Sequence, residues 1–582
     1  MKDQLHALLE QALDLLAAPT PRQYAIDHSK AREHGDFACN AAMTLAKAMG
    51  RKPRELAESL RSAIPSNNLI ARIDIAGPGF LNVFLRQGAA SAIVPQVLTE
   101  GALFGLAAKA CKEKIQVEFV SANPTGPLHV GHGRGAAFGS CLADVLEAAG
   151  FEVQREYYIN DAGRQMDILA LSVWLRYLQG CGEAVEVPKG IYVGEYIITD
   201  CAEPMRAKLG ASLRRPAADF NDSLPTLPDP SDDKAVDRYV DALVARCKAL
   251  LGADYAQLFS FGMAVILEDI RSDLSAFGVR YDSWFSEHSL TTESYVSRAI
   301  ERLRDRGHLY HEGGALLFRA TSFGDDKDRV VVRSNGASTY FASDLGYLLS
   351  KFERGFDRCI YIFGADHHGY VPRLRAAAQG LGLEVDRIEI LLVQFAVLYR
   401  GSEQVKMSTR SGQFETLRKL RDEVGRDACR YFYVMRSNDQ HLDFDLDLAV
   451  SRSKDNPVYY SQYAHARICR LFERAAERGL QPATEADLSS LVLQQEQDLL
   501  LQLARWPETV ANAARLRAPH LIPNYVRDLA QLLHSYYDAE PRIEILASSE
   551  PERSARLQLC AAVRQVLHNA LSLIGVSAPD AM

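Results

Sequence analysis

Ile115-Gln-Val-Glu-Phe-Val-Ser-Ala-Asn-Pro-Thr-Gly-Pro-Leu-His-Val-Gly-His132 is the stretch whose reading decides the fold. Its first six residues are mostly β-branched or apolar, the composition of a buried strand. Pro124, Gly126 and Pro127 break that strand, and a helical period resumes from about Gly133 to Ala149. His129 and His132 sit where the helix begins, three apart and therefore on one face. Unpaired backbone N–H groups and the positive end of the helix dipole gather at the same point, a place suited to phosphate. Gly131 omits the side chain that would keep a flat base off the backbone. Taken alone, the two histidines also read as capping or core residues.

Outward from this stretch, strands alternate with helices from about 111 to 455, the pattern of a parallel sheet wound on both faces. A second apolar run, Cys359-Ile-Tyr-Ile-Phe363, ends in Gly364-Ala-Asp-His-His-Gly369. Ligands of such sheets gather at the carboxyl ends of strands near the switch point, which puts the two turns in one crevice. A polar loop, Arg400 to Gly412, carries Lys406-Met-Ser-Thr-Arg410 and reads as a mobile segment able to close a cation over a triphosphate. Residues from about 176 to 260, including Leu224-Pro-Thr-Leu-Pro-Asp-Pro-Ser231, read as an insertion with a flexible linker.

Residues 1–110 read as a small α+β unit: an amphipathic opening helix, a helical pattern from Asp36 to Met49, a helix from Pro53, and paired strands around Gly77-Pro-Gly79. Beyond about Asn456 long helical periods follow, as in an antiparallel bundle. Tyr459 to Arg467 and His534 to Arg542 mix aromatic with basic residues there, which suits stacking on bases beside phosphate contacts. Tyrosines packing between helices would give the same pattern.

A chain of 582 residues needs several domains, because single cores rarely exceed about 300 residues. The net charge of −8 excludes one broad basic surface, so any nucleic-acid contact is local. The ten cysteines are scattered without a C-x-x-C pair, so neither a zinc ribbon nor a disulfide framework is indicated, and thiols in a reducing cytosol are expected. The N-terminal stretch carries acids at helical spacing rather than a signal peptide, and no uninterrupted run of about 18 apolar residues suggests a membrane span.

With both motifs in view, the chain resembles the class I aminoacyl-tRNA synthetases: His129-Val-Gly-His132 matches the HIGH signature and Lys406-Met-Ser-Thr-Arg410 the KMSKS signature. Val117 to Arg134 and Tyr158-Ile-Asn-Asp-Ala-Gly-Arg-Gln165 look specifically like the bacterial arginyl enzymes, and the likeness runs to Gly575-Val-Ser-Ala-Pro579. The resemblance implies a multidomain α/β protein: a tRNA-contacting α+β domain at 1–110, a Rossmann-like catalytic domain at 111–455 and an all-α anticodon-binding bundle at 456–582. It implies an arginine–tRNA ligase using ATP with Mg²⁺ and no zinc, acting as a cytoplasmic monomer on L-arginine and its tRNA, with no membrane. Catalytic roles fall on His129, His132 and Lys406, and ATP contacts on these and on Gly131, Met407, Ser408 and Arg410. Position by position, Glu118 and Asp344 would pair with a guanidinium, Tyr340 would pack along its stem, Asn123 would hold the α-amino end, and Asp366 or His367 would complete that end. A guanidinium is planar, always charged and carries five donors, so a selective pocket needs such carboxylates. The bland alternatives are a strand glutamate paired with a lysine for Glu118 and a helix cap for Asp344.

Thr409 departs from the signature, which has lysine there, and Arg410 stands in position to take over part of that charge. The resemblance also implies that activation waits for bound tRNA. Competing readings are a class I synthetase for another amino acid, a small-molecule nucleotidylyltransferase and a silent relative binding RNA. Because the motifs segregate from the bundle, cutting the chain near Asn456 is expected to leave the ATP crevice folded.

Overall fold

The computed structural model describes residues 1–582 except 30, 87, 223, 406–414, 481–485 and 540–542. The N-terminal unit sets the helix Lys2–Leu15 and the helix Pro53–Ala63 against a four-stranded antiparallel sheet. Its strands are β1 (Ile26–His28), β2 (Phe37–Cys39), β3 (Ile70–Ala76) and β4 (Phe80–Leu85), in the order β1-β2-β4-β3. One expectation is corrected here. Asp36–Met49 is not a single helix: Phe37–Cys39 pairs with β1 on one side and β4 on the other, and the helix is confined to Ala41–Leu45. Phe37 and Cys39 are buried on one face of the sheet, so tertiary pairing overrides the local helical pattern.

The central sheet is wholly parallel and runs β12-β11-β5-β6-β7. Here β5 is Lys114–Glu118, β6 Glu152–Ile159, β7 Ser283–Ser286, β11 Arg358–Gly364 and β12 Ile388–Val393. Between β7 and β11 the chain makes an antiparallel meander of β8 (Leu309–Glu312), β9 (Ala315–Phe318) and β10 (Arg329–Val332). From β5 the chain moves to β6 and β7 on one side, then returns to β11 and β12 on the other. The switch point therefore lies between β5 and β11, and their carboxyl ends flank the crevice. A small sheet follows, with β13 (Ala396–Arg400) between β14 (Glu403–Gln404) and β15 (Leu442–Asp445).

After β15 the described chain is helical, with Pro457–Glu477, Gln494–Ala504, Trp506–Arg515, Leu521–Tyr537 and Glu552–Leu573. This bundle shares its core with the sheet's helices. The Arg430 guanidinium, fully buried, donates to Ile574 O at 2.9 Å and to Gly278 O at 3.2 Å, and the Trp506 indole donates to Phe104 O at 3.0 Å. A cut near Asn456 would expose this shared interior, so the catalytic crevice is not separable there. The N-terminal unit also reaches the bundle, through Lys2 and His28 on Glu508.

Asp233–Ala276 is, among the described residues, the one helical stretch long and apolar enough by length and composition to cross a membrane, although charged residues interrupt it and it holds no continuous apolar run of the kind sought in the sequence. It breaks at Gly252–Asp254, and Leu258, Ile266, Ile270 and Leu274 of its second half are buried.

Candidate active site

The helix Val130–Ala148 starts directly after His129, whose Nδ1 accepts from Gly131 N at 3.1 Å. His132 Nδ1 accepts from His129 N at 3.3 Å, closing a reciprocal cap, and the two rings stack with centroids 3.6 Å apart. Because both Nδ1 atoms accept, each ring carries its proton on Nε2. Burial lowers both pKa values, that of His132 to about 3 with help from the neighbouring His129. The pair is thus neutral at physiological pH and offers N–H donors rather than charge. Gly131 has a reason beyond the one read from sequence: a Cβ there would lie 2.8 Å from His129 Cε1, so only glycine lets that ring fold back over the helix start.

The strand feeding this turn ends two residues before the apolar run does. Val120 and Ser121 have φ of 67° and 42°, left-handed values that are costly for a β-branched valine. The kink is held by Ser121 Oγ, which accepts from Tyr158 N at 3.1 Å and donates to Glu118 Oε1 at 3.3 Å. Such strain, sustained by surrounding contacts, aims the end of β5 into the crevice.

A cavity of about 440 Å³ opens there, lined among others by Glu118, Asn123, Glu287, Tyr340, Asp344 and His367. Glu118 is buried and its Oε2 lies 2.5 Å from Nζ of Lys351, itself fully buried between Tyr347 and Tyr361, whose ring centroids are 4.3 and 3.6 Å from the ammonium. The bland reading of Glu118 is therefore half realised: it has a lysine partner, yet it still lines the cavity. Asp344 is not a helix cap. Thr339 caps the helix Tyr340–Glu353, and Asp344, a turn further on, accepts from Tyr370 Oη. Burial raises the Asp344 carboxyl to about 7, with Glu287 and Glu118 adding to the rise and Tyr370 and Arg373 opposing it.

Glu287 was not singled out from sequence. It is buried, with its pKa raised by desolvation, and it faces Asn160 Nδ2 at 2.7 Å once that amide is oriented to match its neighbours. Asn123 donates to Gln165 Oε1 at 2.8 Å at the cavity mouth. The half-exposed Tyr340 extends over Gly163, where a Cβ would meet its hydroxyl at 2.8 Å. His367 lines the cavity, whereas the Asp366 carboxylate folds over Gly364 and lies 3.7 Å from His367 Nε2.

Lys406, Met407, Ser408 and Arg410 lie outside the described residues. The chain on both sides of them is placed, however. Glu403–Gln404 completes a hairpin with β13, and beyond the signature Glu415 O accepts from Val130 N at 3.1 Å while Leu417 N donates to Leu128 O at 2.8 Å. The exit of the second signature thus pairs directly with the entry of the first.

Phe395 also escaped the sequence reading. It is 42% exposed and stands 3.7 Å from where a Cβ would be on both Gly131 and Gly364. Its mount is rigid: Gln394 N donates to Asn438 O at 2.8 Å, and Gln394 O accepts from the buried Arg134 at 2.8 Å.

Away from the crevice, His465, Cys469 and Asp580 bring potential ligand atoms within 4.8 Å of one another. His465 Nδ1 is 2.9 Å from Pro579 O and Cys469 Sγ donates to Asp580 at 3.3 Å, contacts that hold the C-terminal tail.

Three family models match the chain. The arginyl tRNA synthetase N-terminal domain covers 3–85, the class I (R) tRNA synthetase catalytic domain covers 93–187 and 264–447, and the DALR anticodon binding domain covers 461–582. The chain is 53% identical to an arginine–tRNA ligase of Thioalkalivibrio sulfidiphilus and 50% identical to one of Legionella pneumophila, each match covering all of both chains. Among solved structures it resembles a putative arginyl-tRNA synthetase of Campylobacter jejuni, with TM-score 0.74 and 32% identity over 86% of this chain and 100% of the other. The arginyl-tRNA synthetase of Thermus thermophilus has the same fold, with TM-score 0.74 at 22% identity over the full length of both. The strained strand end, the stacked histidines and the acidic cavity therefore stand in a chain that belongs to the class I arginyl-tRNA synthetases.

Proposed function

We propose that the crevice joins L-arginine to ATP and then passes it to tRNA. The observation that carries this reading is the charge of the cavity: three carboxylates, Glu118, Glu287 and Asp344, line it, and among the described residues only Glu118 makes an ion pair, with the buried Lys351. A planar, permanently charged guanidinium satisfies that excess with directed donors, which lysine and neutral citrulline do not match. Glu118 and Asp344 hold the guanidinium, Tyr340 lies along the stem, Asn123 takes the α-amino group, and His367, with Asp366 behind it, closes that end.

In the first step a carboxylate oxygen of arginine attacks the α-phosphorus, and the bond to pyrophosphate breaks. In the second a ribose hydroxyl of the terminal adenosine attacks the acyl carbon and releases AMP. Neither step needs a protein nucleophile, so positioning and charge stabilisation supply the catalysis. Neutral His129 and His132 donate to phosphate oxygens from the helix start, and Lys406 with Arg410 neutralises the departing pyrophosphate. Mg²⁺ would accompany the triphosphate, without a dedicated protein cage, and would supply charge neutralisation there. Phe395, beside Gly131, is the flat wall for the adenine ring.

Residues 1–110 serve as the N-terminal tRNA contact, 111–455 as the catalytic domain with an insertion at about 176–260, and 456–582 as the anticodon reader. In the last, a groove of about 690 Å³ gathers Tyr463, Arg467, Arg470, Arg474, Arg478 and Tyr537, suited to unstacked bases beside phosphates. The free cysteine thiols fit a reducing compartment, the cytoplasm.

Pyrophosphate exchange tests the reading. Exchange is expected to depend on arginine and to appear only when tRNA is added; exchange driven by another amino acid would overturn the assignment, and exchange without tRNA would remove only the tRNA requirement. Phe395→Ala is expected to raise the ATP KM by roughly 5- to 150-fold, since base–aromatic stacking is worth about 1–3 kcal/mol, with the arginine KM unchanged. An unaltered ATP KM would take Phe395 out of the adenine site.

A further inference from the structure

Between β6 and β7 the chain makes a long excursion through the helix Arg164–Gly180, the π-helix Ile197–Ala202, and the helices Asp233–Leu251 and Tyr255–Ala276. Of its described residues only Gln165 reaches the cavity lining. Yet the excursion grips the turn Asn123-Pro-Thr-Gly-Pro127 at two points. That turn has little backbone bonding of its own, because Pro124 and Pro127 have no N–H to donate. The Tyr196 hydroxyl donates to Thr125 O at 2.7 Å, and its ring lies against Gly126, where a Cβ would be 2.8 Å from Cζ and Oη. Gly194 makes room for the ring, since a Cβ there would overlap Cε1. Tyr196 is mounted at the start of Ile197–Ala202, a rare wide helix of the kind that recurs at functional sites. Tyr192 N donates to the buried Ser172 Oγ at 3.0 Å, which ties this segment to Arg164–Gly180.

The second grip runs through Gln165, whose Oε1 accepts from Asn123 Nδ2 at 2.8 Å. Residues on either side of Gln165 are pinned by the later helices of the excursion. Arg164 donates to Asp241 Oδ1 at 2.6 Å and to Asp237 Oδ1 at 3.0 Å. Asp167 accepts from Lys248 Nζ at 2.8 Å and from Tyr255 Oη at 2.6 Å. Exposed pairs of this sort contribute little to stability, but four bonds on one helical turn fix where Gln165 points. The histidine end of the signature is held separately, by Val130 N on Glu415 O and Leu417 N on Leu128 O. Tyr196 and Gln165 therefore bear on the Asn123 end, not on the phosphate end.

We propose that Tyr196 is a positioning residue for the α-amino group of the substrate, acting through the turn that carries Asn123, with the Arg164–Asp167 anchor as its counterpart on the Asn123 side chain. This rests on the reading above, in which Asn123 takes that group. The α-amino end sets the line along which the substrate carboxylate meets the α-phosphorus, and a misplacement of about 1 Å can cost roughly 100-fold in rate.

The test uses the full-length protein with tRNA present. Tyr196→Ala should lower kcat/KM for arginine roughly 10- to 100-fold, and Tyr196→Phe, which loses only the hydrogen bond, roughly two- to tenfold. The ATP KM should stay unchanged in both, which a general loosening of the crevice would not allow. Gly126→Ala should match Tyr196→Ala, because its Cβ drives the ring away, and the two together should lose no more than either alone. Asp237→Asn with Asp241→Asn should act in the same direction through Arg164. Competitive inhibition by δ-guanidinovalerate, which is arginine without its α-amino group, should be equally strong in the unaltered protein and in Tyr196→Ala. An unchanged arginine kcat/KM in Tyr196→Ala, fully multiplying losses in the Gly126 and Tyr196 pair, or weakening of δ-guanidinovalerate as large as that of arginine would each overturn the proposal. If Tyr196→Ala does not fold, the Phe and Asn variants carry the same test. If the unaltered protein activates no arginine, the parent reading fails instead.

Discussion

An Asp344→Ala enzyme is expected to lose roughly 30- to 5,000-fold in kcat/KM for arginine, because truncating one side of a buried charge pair costs about 2–5 kcal/mol. Asp344 lines the cavity beside Glu118 and Glu287, and burial among these carboxylates lifts its pKa to about 7. The sign of the accompanying pH effect follows. In the free enzyme the proton must leave Asp344 before a guanidinium can pair with it, so kcat/KM for arginine should fall up to tenfold per pH unit below about 7 and level off above. Asp344→Asn should flatten that limb while lowering the plateau. His129 and His132 cannot produce it, since burial depresses both below their ordinary range, and their titration would run at lower pH. Steady-state kinetics across pH 5.5 to 8.5 decides it; an unchanged arginine KM and kcat in Asp344→Ala would remove the residue from the pocket.

Glu118→Ala is expected to damage stability as well as binding. It strands the fully buried Lys351 ammonium, and breaking a buried pair by removing one partner costs about 3–5 kcal/mol. Removing both, in Glu118→Ala with Lys351→Met, should return most of that stability while arginine binding stays lost. Denaturant unfolding of the two single variants and the double variant, beside their arginine KM values, separates the roles. Recovery of arginine binding in the double variant would show that Glu118 serves only Lys351.

The strand, Pro-Gly turn and helix around His129 were legible because each is a local pattern, and the switch-point rule then placed Cys359–Gly369 beside it. Family resemblance pointed to Glu118 and Asp344, and both line the cavity. What surrounds them was not legible. Lys351 is 233 residues from Glu118, and a lysine in a helical period reads as solvated until its helix is docked. Val120 and Ser121 are poor left-handed residues by type, so their turn has no sequence signal; only the closing Ser121 bonds explain it. Phe395 looked like one more apolar residue before a polar loop, and its mount on Arg134 and Asn438 depends on residues some 260 and 44 positions away. The strand at Phe37–Cys39 failed for the same reason in reverse, with pairing partners on both sides outweighing a helical pattern.

The most direct measurement is charging of total tRNA by the purified full-length protein with Mg²⁺-ATP and each of the twenty amino acids in turn. Acylation with arginine is expected, with lysine below it by roughly four to five orders of magnitude in kcat/KM, because lysine leaves buried carboxylate oxygens unpaired. Charging with a different amino acid, or with arginine and lysine alike, would contradict the assignment of Glu118, Glu287 and Asp344 as the guanidinium site.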